Sequence, residues 1–331
     1  MHLLFFYWFM PDTEHFVYIL QSKKTEQKNK SMKKLVILSL ILVLGIQFGC
    51  NTNQAADDTP RRGKKTMYLD ESFKPLIKTA SEVFSGIYPD AELKLVYTSE
   101  SDAMKALSEG TARTIFTGRD YTDEERKYLR SRNITVTSDI IAHDAITFIV
   151  NLGNTDTLLT QKQLRDFLSG KSTAWTASKK TIEIVFDRVQ SANFNYMLKW
   201  IGTDFGKQVH AAKNTEEVIK YVQDHPNTLG VIGYNFISDF DDAAVRARLK
   251  KFIVVGIQGN DKSYWRPGKA NITEKKYPFW RPIWAINSGA PDGLNTGFVS
   301  FLNSRQGQLL LEKCELGPGK GTPREINFTT E

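Results

Sequence analysis

From residue 66 onward, short apolar runs that alternate along a strand are followed repeatedly by segments whose apolar residues return every three or four positions. That switching between two periodicities restricts the chain to a mixed α/β fold built of strand and helix units. Residues 66 to 69 read as a strand. Phe73, Leu76, Ile77, Ala80, Val83, Phe84 and Ile87 then share one helical face, and Tyr88-Pro89-Asp90 closes it with a turn. Leu93, Leu95 and Tyr97 alternate as a second strand, Ser101 caps a short helix to Glu109, and residues 114 to 117 form a third strand. The opening order is therefore βαβαβ.

Thr122 with Glu125 and Thr160 with Gln163 have capping-box spacing, so helices are expected to about Arg132 and to Gly170. Residues 134 to 137 and 145 to 150 read as separate strands on either side of 139 to 144. Strands at 182 to 186, 229 to 234, 252 to 256 and 283 to 287 follow, with helices at 192 to 201 and 215 to 223. Helices at 292 to 303 and 306 to 313 close the chain, and there is no internal repeat.

The N-terminal region carries an address. Met32-Lys33-Lys34 precedes an apolar run from Leu35 to Ile46, then Gln47-Phe48-Gly49-Cys50. A charged start, a short apolar core and a small residue before the cut are the physical requirements of an exported, processed segment. The segment resembles the lipobox of bacterial lipoproteins, which implies a signal peptide over 32–49 and lipid on Cys50. Gln47 departs from the usual aliphatic residue, and a single N-terminal membrane anchor is the competing reading. Residues 1–31, aromatic at first and then lysine-rich, fit neither and are read as a non-native extension ahead of a true start at Met32. Residues 50–65 read as a polar tether.

Beyond residue 50, 281 residues remain, enough for two ordinary α/β lobes. They carry 38 basic and 34 acidic side chains, interleaved as in Asp123-Glu124-Glu125-Arg126-Lys127, so no nucleic-acid footprint is expected. With Cys50 lipidated, Cys314 has no partner for a disulfide and reads as a buried small apolar residue. The sequence holds no HExxH, GxSxG, Walker or GxGxxG motif after a strand, and its scattered histidines with two cysteines build no zinc site. No metal or cofactor is expected. His143 beside Asp144 is the one pair that could suggest a hydrolase, against a structural histidine at a strand edge.

Hydroxyl residues recur where strands hand over to helices: Ser72-Phe73, Ser99 and Ser101, Thr117-Gly118-Arg119, and Ser191. Each serves as an N-cap on its own. Several helix N-termini facing one cleft would also make an oxyanion site without catalysis.

These features accompany Leu159-Thr160 through Gln163-Leu164, Phe167 to Lys171 with Trp175, Gly230 to Tyr234, Tyr277-Pro278-Phe279-Trp280-Arg281-Pro282, and Phe298 to Leu302 followed by Gly307-Gln308. In that order the chain resembles the PstS-like phosphate-binding proteins of bacterial ABC transporters, a branch of the type II periplasmic binding proteins. The resemblance covers nearly everything after residue 65. It implies a two-lobed α/β fold, each lobe a mostly parallel sheet flanked by helices. Lobe one would be about 66–143 with 256–331 and lobe two about 144–255, with hinges near His143 and Gly256.

The resemblance also implies a bound anion held by Ser72, Phe73 and Ser99, and by Ser191, Ala192 and Asn193 in place of a Ser-Gly-Thr turn. Where the family places an arginine four residues before that serine, this chain has Asp187, with Arg188 beside it. Where the family has an aspartate, it has Gly118-Arg119-Asp120. A swap would conserve charge, with Arg119 supplying the cation and Asp187 an acceptor that rewards a protonated ligand and repels sulfate. The expected activity is non-enzymatic: capture of phosphate or a similar oxyanion for an ABC permease by a lipid-anchored, extracytoplasmic monomer. A phosphate-sensing or scaffold lipoprotein is the alternative, and a phosphoester hydrolase a further one.

Overall fold

The computed structural model describes residues 58–320, so the proposed extension, the signal segment, Cys50 and the first part of the tether lie outside the described residues. The described chain starts by joining the folded body rather than as linker. The Asp58 carboxylate accepts the Leu294 N–H at 2.9 Å and pairs with Lys65 at 2.6 Å, and β1 (Gly63–Asp70) already includes the last residues assigned to the tether.

A 3-10 turn, Glu71–Phe73, links β1 to α1 (Lys74–Ile87), which buries Leu76, Ile77, Ala80 and Phe84 and has Pro75 in its first turn, where no N–H is needed. β2 (Ala91–Thr98), α2 (Glu100–Ser108), β3 (Thr114–Thr117) and α3 (Asp123–Ser131) complete the expected βαβαβ start. The cap of α2 is Ser99, not Ser101: Ser99 accepts the Asp102 N–H at 3.1 Å. The long β4 (Thr137–Val150) replaces the two short strands expected on either side of 139 to 144. The expected break at 139 to 144 is absent because the strand changes partners along its length, so no single face stays apolar throughout.

Next come β5 (Leu158–Leu159), α4 (Gln161–Ser169), β6 (Glu183–Phe186), α5 (Ala192–Ile201), β7 (Val209–Ala211), α6 (Thr215–Asp224) and β8 (Thr228–Gly233). Both capping boxes form, at Thr122 with Glu125 and at Thr160 with Gln163. Gly170 and Gly202 end α4 and α5 in the left-handed conformation, at φ 79° and 71°. The remainder comprises α7 (Ala243–Leu249), β9 (Ile253–Val254), β10 (Gly256–Gln258), β11 (Tyr264–Trp265), α8 (Lys269–Thr273), β12 (Trp280–Asn287), α9 (Leu294–Asn303), α10 (Arg305–Lys313) and β13 (Gly317–Pro318).

The main sheet runs β2-β1-β3-β12-β4-β8-β6-β7, with β9 and β13 also pairing with β4. Its two flanks, β2-β1-β3 and β8-β6-β7, are parallel, as the alternation of elements requires, while β12 and β4 run antiparallel to their neighbours at the centre. β4 carries the join: residues 137–145 pair with β12, and residues 146–150 pair with β8. Within each flank the parallel strands end at one edge, and because the two flanks run in opposite directions on consecutive halves of β4, the loops after β1, β2 and β3 face the loop after β6.

Helices flank both halves over a core of buried aromatics in which Phe84 meets Phe298 and Phe301 edge-on at 5.3 and 5.4 Å. Cys314 is buried, as expected, and no helix of the described residues is long and apolar enough to cross a membrane. His143 and Asp144 cannot act as a pair, because adjacent strand residues face opposite ways. His143 meets the Pro318 carbonyl at 3.0 Å and packs beside Trp280, whereas Asp144 is fully buried on the other face.

Candidate functional site

The β1 loop enters the cleft first. Asp70 is completely buried and gathers donors from distant parts of the chain: Ser72 donates from its N–H at 3.0 Å and from its hydroxyl, and Ala192 donates its N–H at 3.0 Å. Ala192 is the first residue of α5, so a helix N-terminus ends on a carboxylate of the protein itself. The next residue, Glu71, reaches the start of α6, where Thr215 donates from N–H and hydroxyl at 3.4 and 3.3 Å. The second Glu71 oxygen is buried without a partner.

Glu100, after β2, accepts the Gly118 N–H at 2.8 Å and the Asn195 amide at 2.9 Å. Asp187, at the end of β6, accepts the Ser191 hydroxyl at 2.6 Å, the Asn193 amide at 2.8 Å and the Arg188 N–H at 3.0 Å. Asp144 on β4 accepts from Asn235, whose amide also donates to the Ser72 carbonyl at 2.7 Å.

Arg281 of β12 sits among these acids and has no exposed surface. Its Nη2 donates to Asp144 at 3.3 Å and to the Ser72 hydroxyl at 3.4 Å, and its guanidinium lies over the Phe73 ring at 4.7 Å. Nε and Nη1 of Arg281 are buried with no partner. A Cβ placed on Gly118 would stand 3.6 Å from Nη1 and 3.1 Å from the Ala192 Cβ, so the bare backbone there lets the β3 loop approach both.

The charge balance is lopsided. Asp70, Glu71, Glu100, Asp144 and Asp187 are all buried, and Arg281 is the one buried cation among the described residues. Burial pushes every one of these carboxyls up. Asp70 is raised to about 6 by burial and then by the Asp187 charge, and Glu71 to about 8 by burial, Asp187 and Glu216. Arg281 opposes the rise at Asp70, Glu100, Asp144 and Asp187.

The sequence-derived set divides accordingly. Ser72, Phe73, Asp187, Ser191, Ala192 and Asn193 meet in this cluster, whereas Ser99 is nearly buried and occupied in capping α2. Arg188 faces elsewhere, and Arg119 lines the cavity beside the cluster rather than the cluster itself. The Arg119 guanidinium makes two bonds to Glu125 at 2.8 and 2.9 Å and remains 44% exposed, and Arg188 donates to the Lys213 carbonyl at 3.2 Å. Asp187 stands in the cluster while Arg119 is tied to Glu125 outside it, so the two parts of the expected charge swap are not brought together there. Arg281 went unassigned although its motif was noticed, because the expected strand began only at residue 283 and nothing near it in sequence showed which acids it would meet.

Outside the cluster, a cavity of about 540 Å³ opens against Glu100, Gly118 and Ala192 and is walled by Tyr196, Trp200, Pro282 and Trp284, with Lys199 also lining it. Among the described residues no group of histidine, cysteine and acidic side chains is arranged to hold a metal ion.

A family model described as a PBP superfamily domain matches residues 54–306. The phosphate-binding protein PstS of Staphylococcus epidermidis is 24% identical over 284 residues, spanning 82% of this chain and 84% of that protein. A Clostridium perfringens protein assigned as a phosphate ABC transporter substrate-binding protein, solved with bound phosphate, superimposes with a TM-score of 0.65 at 20% identity. That match covers 77% of this chain and 99% of the other. An ABC-type phosphate transport receptor from Vibrio cholerae gives 0.60 at 18%, covering 77% and 100%. These likenesses show the shared two-lobed fold, and because the family model spans most of the chain, this protein belongs to the PBP superfamily domain family.

Proposed function

We propose that this protein is an extracytoplasmic solute-binding protein that captures phosphate, or an oxyanion of the same shape, between two lobes and passes it to an ABC permease. The observation that carries this reading is Arg281, a fully buried guanidinium with two unpartnered N–H-bearing atoms at the meeting of the β1, β3 and β6 loops. A buried cation with free, fork-shaped donors suits a tetrahedral oxyanion, and the N-terminus of α5 adds backbone donors. The similarity to phosphate-binding relatives supports the same ligand class.

The surrounding carboxyls require that the bound oxyanion bring a proton, so hydrogen phosphate and arsenate are favoured and sulfate is rejected. Asp70 and Asp187 take the acceptor part. An incoming oxyanion competes with Asp70 for Ser72 and for the Ala192 N–H.

In this reading the lobes meet along β4, one crossover falling between Ala145 and Ile146, where its partner changes from β12 to β8. The second crossover is placed near Phe279, whose carbonyl accepts the Ile146 N–H at 2.9 Å, rather than at Gly256, because β9 pairs with β4 and β10 with β5. Cys50 bears the lipid that tethers a monomer to the membrane, so Cys50→Ser releases the protein into the soluble fraction on cell fractionation. Retention at the membrane would remove the anchor assignment.

Calorimetry with phosphate, arsenate and sulfate tests the ligand. Phosphate and arsenate bind, sulfate does not, and Arg119→Ala changes phosphate affinity by less than about fivefold, because its exposed pair with Glu125 contributes at most about 1 kcal/mol. Absence of binding to any oxyanion would overturn the reading.

A further inference from the structure

We propose that the ligand of this cleft is a zwitterion, an oxyanion joined by a short organic arm to an ammonium group, with the oxyanion on Arg281 and the ammonium in the aromatic-walled cavity beside Glu100. This rests on the oxyanion reading and narrows it.

Size is the first argument. The cavity adjoining the buried cluster holds about 540 Å³. An inorganic oxyanion fills roughly the space of two or three waters of about 30 Å³ each, so most of that space serves something else. Its walls include the half-buried Tyr196, Trp200 and Trp284, a lining expected for the organic part of a ligand.

Charge is the second. One buried guanidinium stands among four buried carboxyls, Asp70, Glu100, Asp144 and Asp187, so a ligand that is only an anion enters a site already rich in acidic groups. A ligand that also carries a cation offsets it. Aromatic rings with a carboxylate nearby are the surroundings in which an ammonium is held in water-excluded sites. Glu100 lines the cavity itself, and its two oxygens, although engaged by Gly118 and Asn195, keep lone pairs to accept more. Of the cations along the cavity, Arg119 is bound to Glu125, and Lys199 is exposed, where solvent screens its charge.

Connection is the third. Gly118 borders both regions: a Cβ there would lie 3.2 Å from a Glu100 oxygen and 3.6 Å from Arg281 Nη1. Arg281 does not itself line the cavity, and the side-chain-free Gly118 is the point at which a short ligand would bridge from the cavity to the unpartnered guanidinium nitrogens. Buried acceptors without partners, on Asn193 and Asn235, lie in the same cluster and suit a hydroxyl hydrogen on such a ligand.

The test is calorimetry with three probes: phosphocholine, its neutral carbon isostere 3,3-dimethylbutyl phosphate, and inorganic phosphate. Phosphocholine is expected to bind about tenfold or more tighter than either of the others. Glu100→Gln removes the charge while its carbonyl still accepts the Gly118 N–H, leaving an amide in place of the acceptor for Asn195, and it narrows the ratio of phosphocholine to its neutral isostere. If the isostere matches phosphocholine, or phosphate binds while phosphocholine does not, the zwitterion assignment falls and the oxyanion reading stands. If none of the three binds, both fall. Should Glu100→Gln fail to fold, the ratio of phosphocholine to its isostere in the unaltered protein decides the question.

Discussion

Arg281→Met abolishes oxyanion binding and lowers the unfolding free energy by about 3 to 5 kcal/mol, the cost of removing one partner from a buried ion pair. The side chain has no exposed surface and pairs with Asp144 at 3.3 Å, so its loss leaves Asp144 with neutral donors alone, from Asn235 and the Ala145 backbone. It also removes the positive charge that restrains the upward pKa shifts of Asp70, Glu100, Asp144 and Asp187. The variant therefore holds more protons in the cleft at neutral pH and loses the one buried cation able to meet an anion there. Arg281→Lys does not restore affinity, because an ammonium cannot reach Asp144 and Ser72 while presenting two further donors in a plane. Denaturant titration gives the stability change and calorimetry gives the binding. Phosphate affinity unchanged in Arg281→Met would place the cation elsewhere, and Arg119, through a switch away from Glu125, would then be the residue to test.

The contrast between those two arginines shows what the sequence reveals and what it conceals. Local signals were legible: both capping boxes, the stop at Gly170 and the helix cap at Ser191 arise between residues a few positions apart, although the cap of α2 was misplaced by two residues, at Ser101 for Ser99. Arg119 drew notice because it stands in a strand-to-helix loop, yet its acid partner, Glu125, is six residues on, within the same capping box. Arg281 became central only through pairing that no short window contains. β12 must lie between β3 and β4 before its guanidinium meets Asp144, 137 residues earlier, and Ser72, 209 residues earlier. The buried acids escaped attention for the same reason. Asp70, Glu71 and Glu100 follow strands as ordinary cap or first-turn residues do, and only the convergence of four loops removes them from water. Asp187 was recognised because it stood where the resemblance called for an arginine, a departure visible in one dimension.

Glu71→Gln flattens the decline of stability between about pH 4.5 and 8. Glu71 is 3% exposed, one oxygen takes both Thr215 donors, and the other has no partner. Burial, with the charges of Asp187 and Glu216, lifts its carboxyl from 4.5 to about 8. The folded protein thus keeps this proton at pH values where the unfolded chain has released it. Where the native state binds more protons, stability falls as pH rises, so the contribution of Glu71 is complete below about pH 4.5 and gone above about 8. The loss across that window is no more than about 5 kcal/mol. Asp70 adds a decline of the same sign between 3.8 and about 6. Glutamine imitates the protonated acid at every pH: its carbonyl accepts from Thr215, and its amide supplies hydrogens on the side where the acid carries its proton. Urea midpoints at pH 5, 6.5 and 8.5 should agree between the two proteins at the lowest value and diverge upward, with the glutamine variant the more stable. Parallel curves would mean that Glu71 titrates as an ordinary carboxyl. The consequence reaches the lobes, because Glu71 follows β1 while Thr215 begins α6 in the proposed second lobe. Ionising this contact places an unpaired buried charge across the closure, so rising pH loosens the lobes just as it removes the proton that the cleft asks of its ligand.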